Sequence, residues 1–147
     1  MKDLNICIKP ASSACNMACR YCFYEDVSSR RAAFSHGAMN RPDARVLIEN
    51  VMSGLRRGDR VTFMFQGGEP TLAGLPFFQA FTEYAAELGR ARRVGVSFAL
   101  QTNGLRLDDE FCAFLRARNV LVGLSLDMES AFHDRYRRDR GGAATFE

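Results

Sequence analysis

Apolar residues recur along the chain at two spacings. Residues 4–9 (LNICIK), 61–66 (VTFMFQ), 94–101 (VGVSFALQ) and 120–126 (VLVGLSL) are short runs rich in β-branched and aromatic residues, bounded by Gly, Asn and Asp. They predict four strands. Between the strands the period becomes helical. Asn40 is placed as an N-cap, with Pro42 in the first turn and Asp43 at the third position, ahead of Ala44, Leu47, Ile48, Val51, Met52 and Leu55. Gly58 lies just past the predicted stop. Phe77, Phe78, Phe81, Tyr84, Ala85 and Leu88 share one face of a second helix, which Gly89 is expected to end. A short helix near 108–118 buries Phe111, Phe114 and Leu115, and Asn119 ends it in the left-handed conformation. A charged helix starts near Ser130. The thirty or so residues after the first strand read as loop, and the last seven, GGAATFE, as a mobile end.

Alternation of strand and helix predicts right-handed βαβ units and a parallel sheet. A closed (β/α)₈ barrel takes about 250 residues, roughly 30 per unit. Four units are about half of one. The expected fold class is therefore α/β, a partial (β/α) barrel with outer helices, and residues 1–147 are expected to be the N-terminal portion of a longer core domain. Each predicted strand runs into an unusual stretch: the cysteines after the first, GGEP (Gly67–Pro70) after the second, QTNG (Gln101–Gly104) after the third, SLD (Ser125–Asp127) at the fourth. In a parallel sheet these all fall on the carboxyl-end rim, where such folds bind ligands. Taken singly, each has a plainer explanation. GGEP and TNG are good turn sequences, and Ser125 can satisfy a neighbouring carbonyl.

Composition narrows the class. Of 147 residues, 47% are hydrophobic and 25% charged, and no apolar run is long enough to span a bilayer. The start, MKDLNICIKP, has no apolar core of a secretory signal. A cytoplasmic location follows as an expectation, and there clustered thiols are metal ligands more often than disulfides. The net charge of +3 is modest, and the densest basic patch, Arg135, Arg137, Arg138 and Arg140, is interleaved with Asp134 and Asp139. It reads as a solvated helix face. No reading-helix motif or aromatic-interleaved basic stripe accompanies it, so neither a nucleic-acid nor a membrane partner is expected.

Three of the five cysteines, Cys15, Cys19 and Cys22, stand at a CxxxCxxC spacing. A structural zinc site is closed by four ligands; here the fourth would be His36 or Cys7. Cys7 lies inside the first strand and reads as a small core residue, Cys112 as packed within its helix, and His133 as a surface or supporting residue. The other thiolate-rich option is a four-iron cluster, which normally takes four cysteines. With three, one iron is open to a substrate or cofactor. Tyr21, Phe23 and Tyr24 would line one wall.

The spacing CNMACRYC followed by a strand-terminal GGEP resembles the radical S-adenosylmethionine superfamily. The strings IKPASSACNMACRYCFYEDV, FQGGEPTLAG, LQTNGL, VGLSLD and HDRYR are similar to one branch of it, the anaerobic sulfatase maturases with a Cys-rich C-terminal SPASM domain. The resemblance implies a [4Fe–4S] cluster on Cys15, Cys19 and Cys22, its open iron chelated by S-adenosylmethionine. It implies a 5′-deoxyadenosyl radical that oxidises a Cys or Ser of a sulfatase peptide to formylglycine, with an electron donor such as flavodoxin or ferredoxin. It places Tyr21 and Tyr24 near the adenine, Gly68 and Glu69 at the methionine amino group, Ser125 near the ribose and Arg137 on the methionine carboxylate, where a guanidinium fork suits a bidentate pair.

Two departures matter. The family's SLDG reads SLDM, with Met128 in place of a glycine, and methionine would strain a turn that needs positive φ. The carboxylate that takes the substrate proton in maturases has no counterpart up to Glu147. Two alternatives therefore stand beside the leading one: a maturase of another ribosomal peptide, for example forming thioethers, and a non-catalytic zinc-binding fragment.

Overall fold

The computed structural model describes residues 1–147, and in it the four apolar runs fold as strands β1 (Asp3–Ile8), β2 (Arg60–Phe65), β3 (Gly95–Thr102) and β4 (Leu121–Leu124). All neighbours are parallel, in the order β1-β2-β3-β4, with Ile6 opposite Phe63 and Phe63 opposite Phe98. The helices are α1 (Phe23–Ser29), α2 (Arg41–Ser53), α3 (Leu75–Arg92), α4 (Asp109–Ala117) and α5 (Ser130–Tyr136), with a 3₁₀ turn at Pro70–Ala73. None is long and apolar enough to cross a membrane.

Local chemistry sets the boundaries. The Asn40 side chain accepts from the Asp43 N–H at 2.8 Å and starts α2, and Asp108 accepts from the Phe111 N–H at 2.8 Å and starts α4. Asn119 takes φ 49° beyond α4, as expected. Two stops differ from expectation. Helix α2 already ends at Ser53, before Gly58. Helix α3 runs through Gly89 to Arg92, and Arg93 supplies the left-handed cap at φ 58°. Gly89 is a packing residue: a Cβ there would collide with Val96 Cγ2 on β3. A helical segment in the cysteine region, α1, was not legible in the apolar pattern.

The core lies on one face of the sheet. Phe63, Phe65 and Phe98 point into it and meet Phe77, Phe78, Phe81 and Phe111 from the helices. Phe65 packs edge-on against Phe78 at 5.0 Å and Phe81 at 5.1 Å between centroids. Phe114 is only partly buried. The alternating residues Asn5, Cys7, Thr62, Met64, Ser97, Ala99 and Gln101 take the opposite face, which no helix covers. This corrects the reading of Cys7, which is exposed because it sits on that face. Cys112 is exposed as well; the inward residues of α4 are its neighbours Phe111 and Leu115.

Asp59 ties three elements together just before β2. Its carboxylate accepts from the Lys2 N–H at 2.6 Å and the Arg56 N–H at 2.9 Å, and its carbonyl accepts from the Gly95 N–H at 2.9 Å. The two N–H donors hold its carboxyl below the usual carboxylate range. A depressed folded-state value stabilises the fold above the unfolded value, near 3.8, and the benefit is lost as pH falls through the folded value. Asp59→Asn is therefore expected to be less stable than the wild type at neutral pH and to converge with it in acid. Denaturant titrations at both pH values check this, and a gap that stays constant would contradict it.

Candidate functional site

The rim stretches converge. The backbone from Pro10 to Ala14 leaves β1 and turns under Gly68, whose φ is +59°. A Cβ on Gly68 would collide with the Ala14 carbonyl oxygen and lie 3.1 Å from that of Ser12. Next to it, the Glu69 N–H donates to the Ala14 carbonyl at 2.8 Å. The GG pair thus lets the β2 loop lie directly on the segment that leads to Cys15.

Glu69 is 1% exposed. Its Oε1 accepts from the Thr71 N–H at 3.0 Å, the Thr71 hydroxyl at 2.7 Å and the Thr102 hydroxyl at 2.8 Å, and its Oε2 accepts from the Asn103 N–H at 2.8 Å. The carboxylate fastens the end of β3 to the loop after β2. Asn103 extends the connection: its Nδ2 donates to Asn16 Oδ1 at 2.8 Å and approaches Cys15 Sγ at 3.9 Å. TNG is therefore more than a turn. Asn16 carried no signal of its own in the sequence, and Asn103 only that of a turn residue on the rim.

The three thiols sit on this platform, all free and half-buried. Cys15 Sγ accepts from the Met17 N–H, and Cys22 Sγ, as the N-cap of α1, accepts from the Glu25 N–H, both at 3.4 Å. Burial, and after it the negative charge of Glu69 and Cys22, pushes the Cys15 thiol up despite the Met17 N–H. Burial also pushes Cys19 up, and the Arg137 charge opposes it. The loop is closed from the other side by the end of α5 and the segment after it. The Ala18 and Arg20 N–H groups donate to the Arg138 and Tyr136 carbonyls, Arg140 Nε donates to the Cys15 carbonyl at 2.7 Å, and Arg140 Nη2 pairs with Glu25 at 3.0 Å. The arginine patch is thus not simply a solvated face: Arg140 clamps the cysteine loop and Arg137 is buried.

Arg137 is 8% exposed; its Nη1 donates to the Tyr21 hydroxyl at 3.2 Å, and its Nε is buried without a partner. Burial works against its charge, but the bond to Tyr21 and the nearby Cys19 hold it above its ordinary value. Tyr21 donates to both Asp127 oxygens, at 2.9 and 3.1 Å. Ser125 accepts from Gln101 Nε2 at 2.8 Å, and Tyr24 lies under Lys9 Nζ at 4.3 Å. Met128 is 97% exposed and is not among the residues with positive φ, so the turn does not need the glycine.

The donor set discriminates between metals. Thiolates on one zinc lie about 2.3 Å from the metal and hence within about 4 Å of one another. No three His, Cys, Asp or Glu side chains are placed to hold a single ion, and His36 is an exposed loop residue. A multi-iron cluster asks for thiols that each bind a different iron, and three free thiols on one loop supply such a set. The sequence pattern of the Radical SAM superfamily matches residues 10–147. The chain belongs to that superfamily.

Among relatives of this radical SAM chain, the Cys-type anaerobic sulfatase-maturating enzyme of Clostridium novyi (strain NT) is 37% identical over 99% of the chain and 38% of its own length. The Ser-type enzyme of Bacteroides thetaiotaomicron is 32% identical over 99% of the chain and 34% of its own length. The solved structure of native anSMEcpe with bound AdoMet superposes with a TM-score of 0.86 at 37% identity, covering 97% of this chain and 37% of that one. The chain spans well under half the length of these relatives. Its four parallel strands and outer helices are part of a radical SAM barrel.

Proposed function

We propose that residues 1–147 form the cofactor-binding part of a radical S-adenosylmethionine enzyme of the anaerobic sulfatase-maturating type, which oxidises a Cys or Ser of a sulfatase peptide to formylglycine. The observation that carries this reading is the meeting of three free thiols with a buried guanidinium whose Nε has no partner, on one rim of a parallel sheet. The likeness to maturases over 99% of the chain supports it.

In this reading Cys15, Cys19 and Cys22 hold a [4Fe–4S] cluster and leave one iron open to S-adenosylmethionine. When bound, the two groups supply the one-electron chemistry that removes a hydrogen atom from the target carbon. The chain's own residues bind and orient. The partnerless edge of Arg137 takes the methionine carboxylate. Gly68 and Glu69 hold the segment at the amino group, Glu69 chiefly by fastening three loops together, since four protein donors already occupy its carboxylate. Ser125 faces the ribose, and Tyr21 and Tyr24 flank the adenine. Flavodoxin or ferredoxin would supply the electron in a cytoplasmic setting.

The test uses the full-length protein, reconstituted with iron and sulfide under strict anoxia and given a reductant, S-adenosylmethionine and sulfatase peptides bearing either Cys or Ser. The expected result is 5′-deoxyadenosine together with a mass loss at the target residue. Cofactor cleavage with both peptides unchanged would overturn the assigned substrate, and a cross-linked peptide would assign the protein to thioether chemistry instead.

A further inference from the structure

His133 plays no part in the roles assigned above, yet it is 2% exposed. Its Nδ1 faces the backbone N–H of Asp127 at 3.3 Å, so Nδ1 is an acceptor. Its Nε2 lies 3.0 Å from Thr145 Oγ1. A threonine hydroxyl has one proton, and this one goes to the Arg137 carbonyl at 2.9 Å. Thr145 Oγ1 must therefore accept from His133. A single protonation state meets both demands: neutral imidazole with its hydrogen on Nε2.

Followed outward, the bonds close on themselves. Asp127 N–H donates to His133, His133 to Thr145, the Thr145 hydroxyl to the Arg137 carbonyl, Arg137 Nη1 to the Tyr21 oxygen, and the Tyr21 hydroxyl back to the Asp127 carboxylate. Every member donates in the same sense; polarisation passes through the imidazole and the two hydroxyls, while Asp127 and Arg137 each join two separate polar groups through their own covalent chain. The Arg137 N–H also donates to the His133 carbonyl at 2.7 Å, bracing the ring across its middle. Asp134 secures Thr145 by accepting from the Thr145 and Phe146 N–H groups at 2.9 and 3.1 Å. Arg137 is thereby fixed at its backbone and at one guanidinium edge, while the buried Nε is left free.

We propose that His133 and Thr145 are positioning residues for S-adenosylmethionine: they complete a five-residue hydrogen-bonded ring that holds the free edge of Arg137 ready for the ligand carboxylate. This rests on the role given to Arg137 above. A flexible arginine would have to be ordered at the moment of binding, and the ring orders it beforehand.

The test is equilibrium binding of S-adenosylmethionine to the full-length, cluster-loaded protein, with iron content measured on each sample. Thr145→Val keeps the shape and removes the hydroxyl; it is expected to weaken binding about 3- to 10-fold, the worth of one hydrogen bond, with iron content unchanged. Thr145→Ser is expected to restore wild-type binding. Tyr21→Phe breaks the ring at an exposed position, which keeps the test open should the valine variant fold poorly, and is expected to weaken binding to a similar extent. Because a ring broken once is already open, the double variant should bind about as weakly as the weaker single variant. Multiplied losses in the double variant, or wild-type binding by both single variants while Arg137→Ala loses it, would overturn the ring and leave the Arg137 role standing. Wild-type binding by Arg137→Ala would remove that role and the ring's purpose with it.

Discussion

Alanine at Cys19 is expected to abolish iron uptake by the full-length protein, while alanine at Cys112 leaves it intact. Cys19 is the middle thiol of a loop held between two elements: its neighbours Arg20 and Ala18 are bonded to the last residue of α5 and to Arg138 beyond it, and Cys22 begins α1. A four-iron cluster that already has one iron without a protein thiolate would be left with two anchors. Cys112 shares the chemistry but not the place, since it is exposed on α4. Iron and sulfide analysis after anaerobic reconstitution checks the pair, with about four irons per chain expected for the wild type and for Cys112→Ala. Full iron content in Cys19→Ala, or its loss in both variants, would contradict the ligand assignment.

The order of elements was legible because parallel strands and their helices obey simple periods. Strand edges came within a residue or two, and the N-cap expected at Asn40 sits where its side chain can reach back to the helix. Two of the misreadings share one cause, namely that periodicity reports apolarity and not which surface covers a residue. Cys7 lies in a strand yet is exposed, because only one face of this sheet carries helices. Gly89 resembles a stop signal, but its missing side chain serves the close approach of α3 to Val96. The tail GGAATFE looked mobile from its small residues; Thr145 is instead bonded to His133, Arg137 and Asp134. Composition was silent about this, because the partners of Thr145 are side chains and carbonyls several residues away that converge only once α5 has formed. For the rim the sequence was a better guide: strand ends mark it, and the thiols, Gly68, Glu69, Ser125 and Arg137 all lie near it.

Gly68→Ala is expected to remove cluster binding although it touches no thiol. Two penalties act together. The backbone is left-handed at φ +59°, which disfavours a Cβ by about 1–2 kcal/mol. The added Cβ would also run into the Ala14 carbonyl oxygen and stand 3.1 Å from the Ser12 carbonyl oxygen and the Ser13 carbonyl carbon. Those are backbone atoms, and the Ala14 carbonyl is itself held by the Glu69 N–H, so the clash cannot be relieved by rotating a side chain. Overpacking of this kind adds about 1–3 kcal/mol. The segment that yields is the one leading into Cys15, whereas the phenylalanine core on the far side of β2 keeps its contacts. Gly58→Ala separates the two effects. Its φ of +88° carries a conformational penalty, but nothing lies within 4 Å of its Cβ position. Both variants should lose stability in denaturant titrations, Gly68→Ala by more, and only Gly68→Ala should lose iron. If Gly68→Ala took up the full complement of iron, contact between the β2 loop and the cysteine segment would not be what holds the thiols in place.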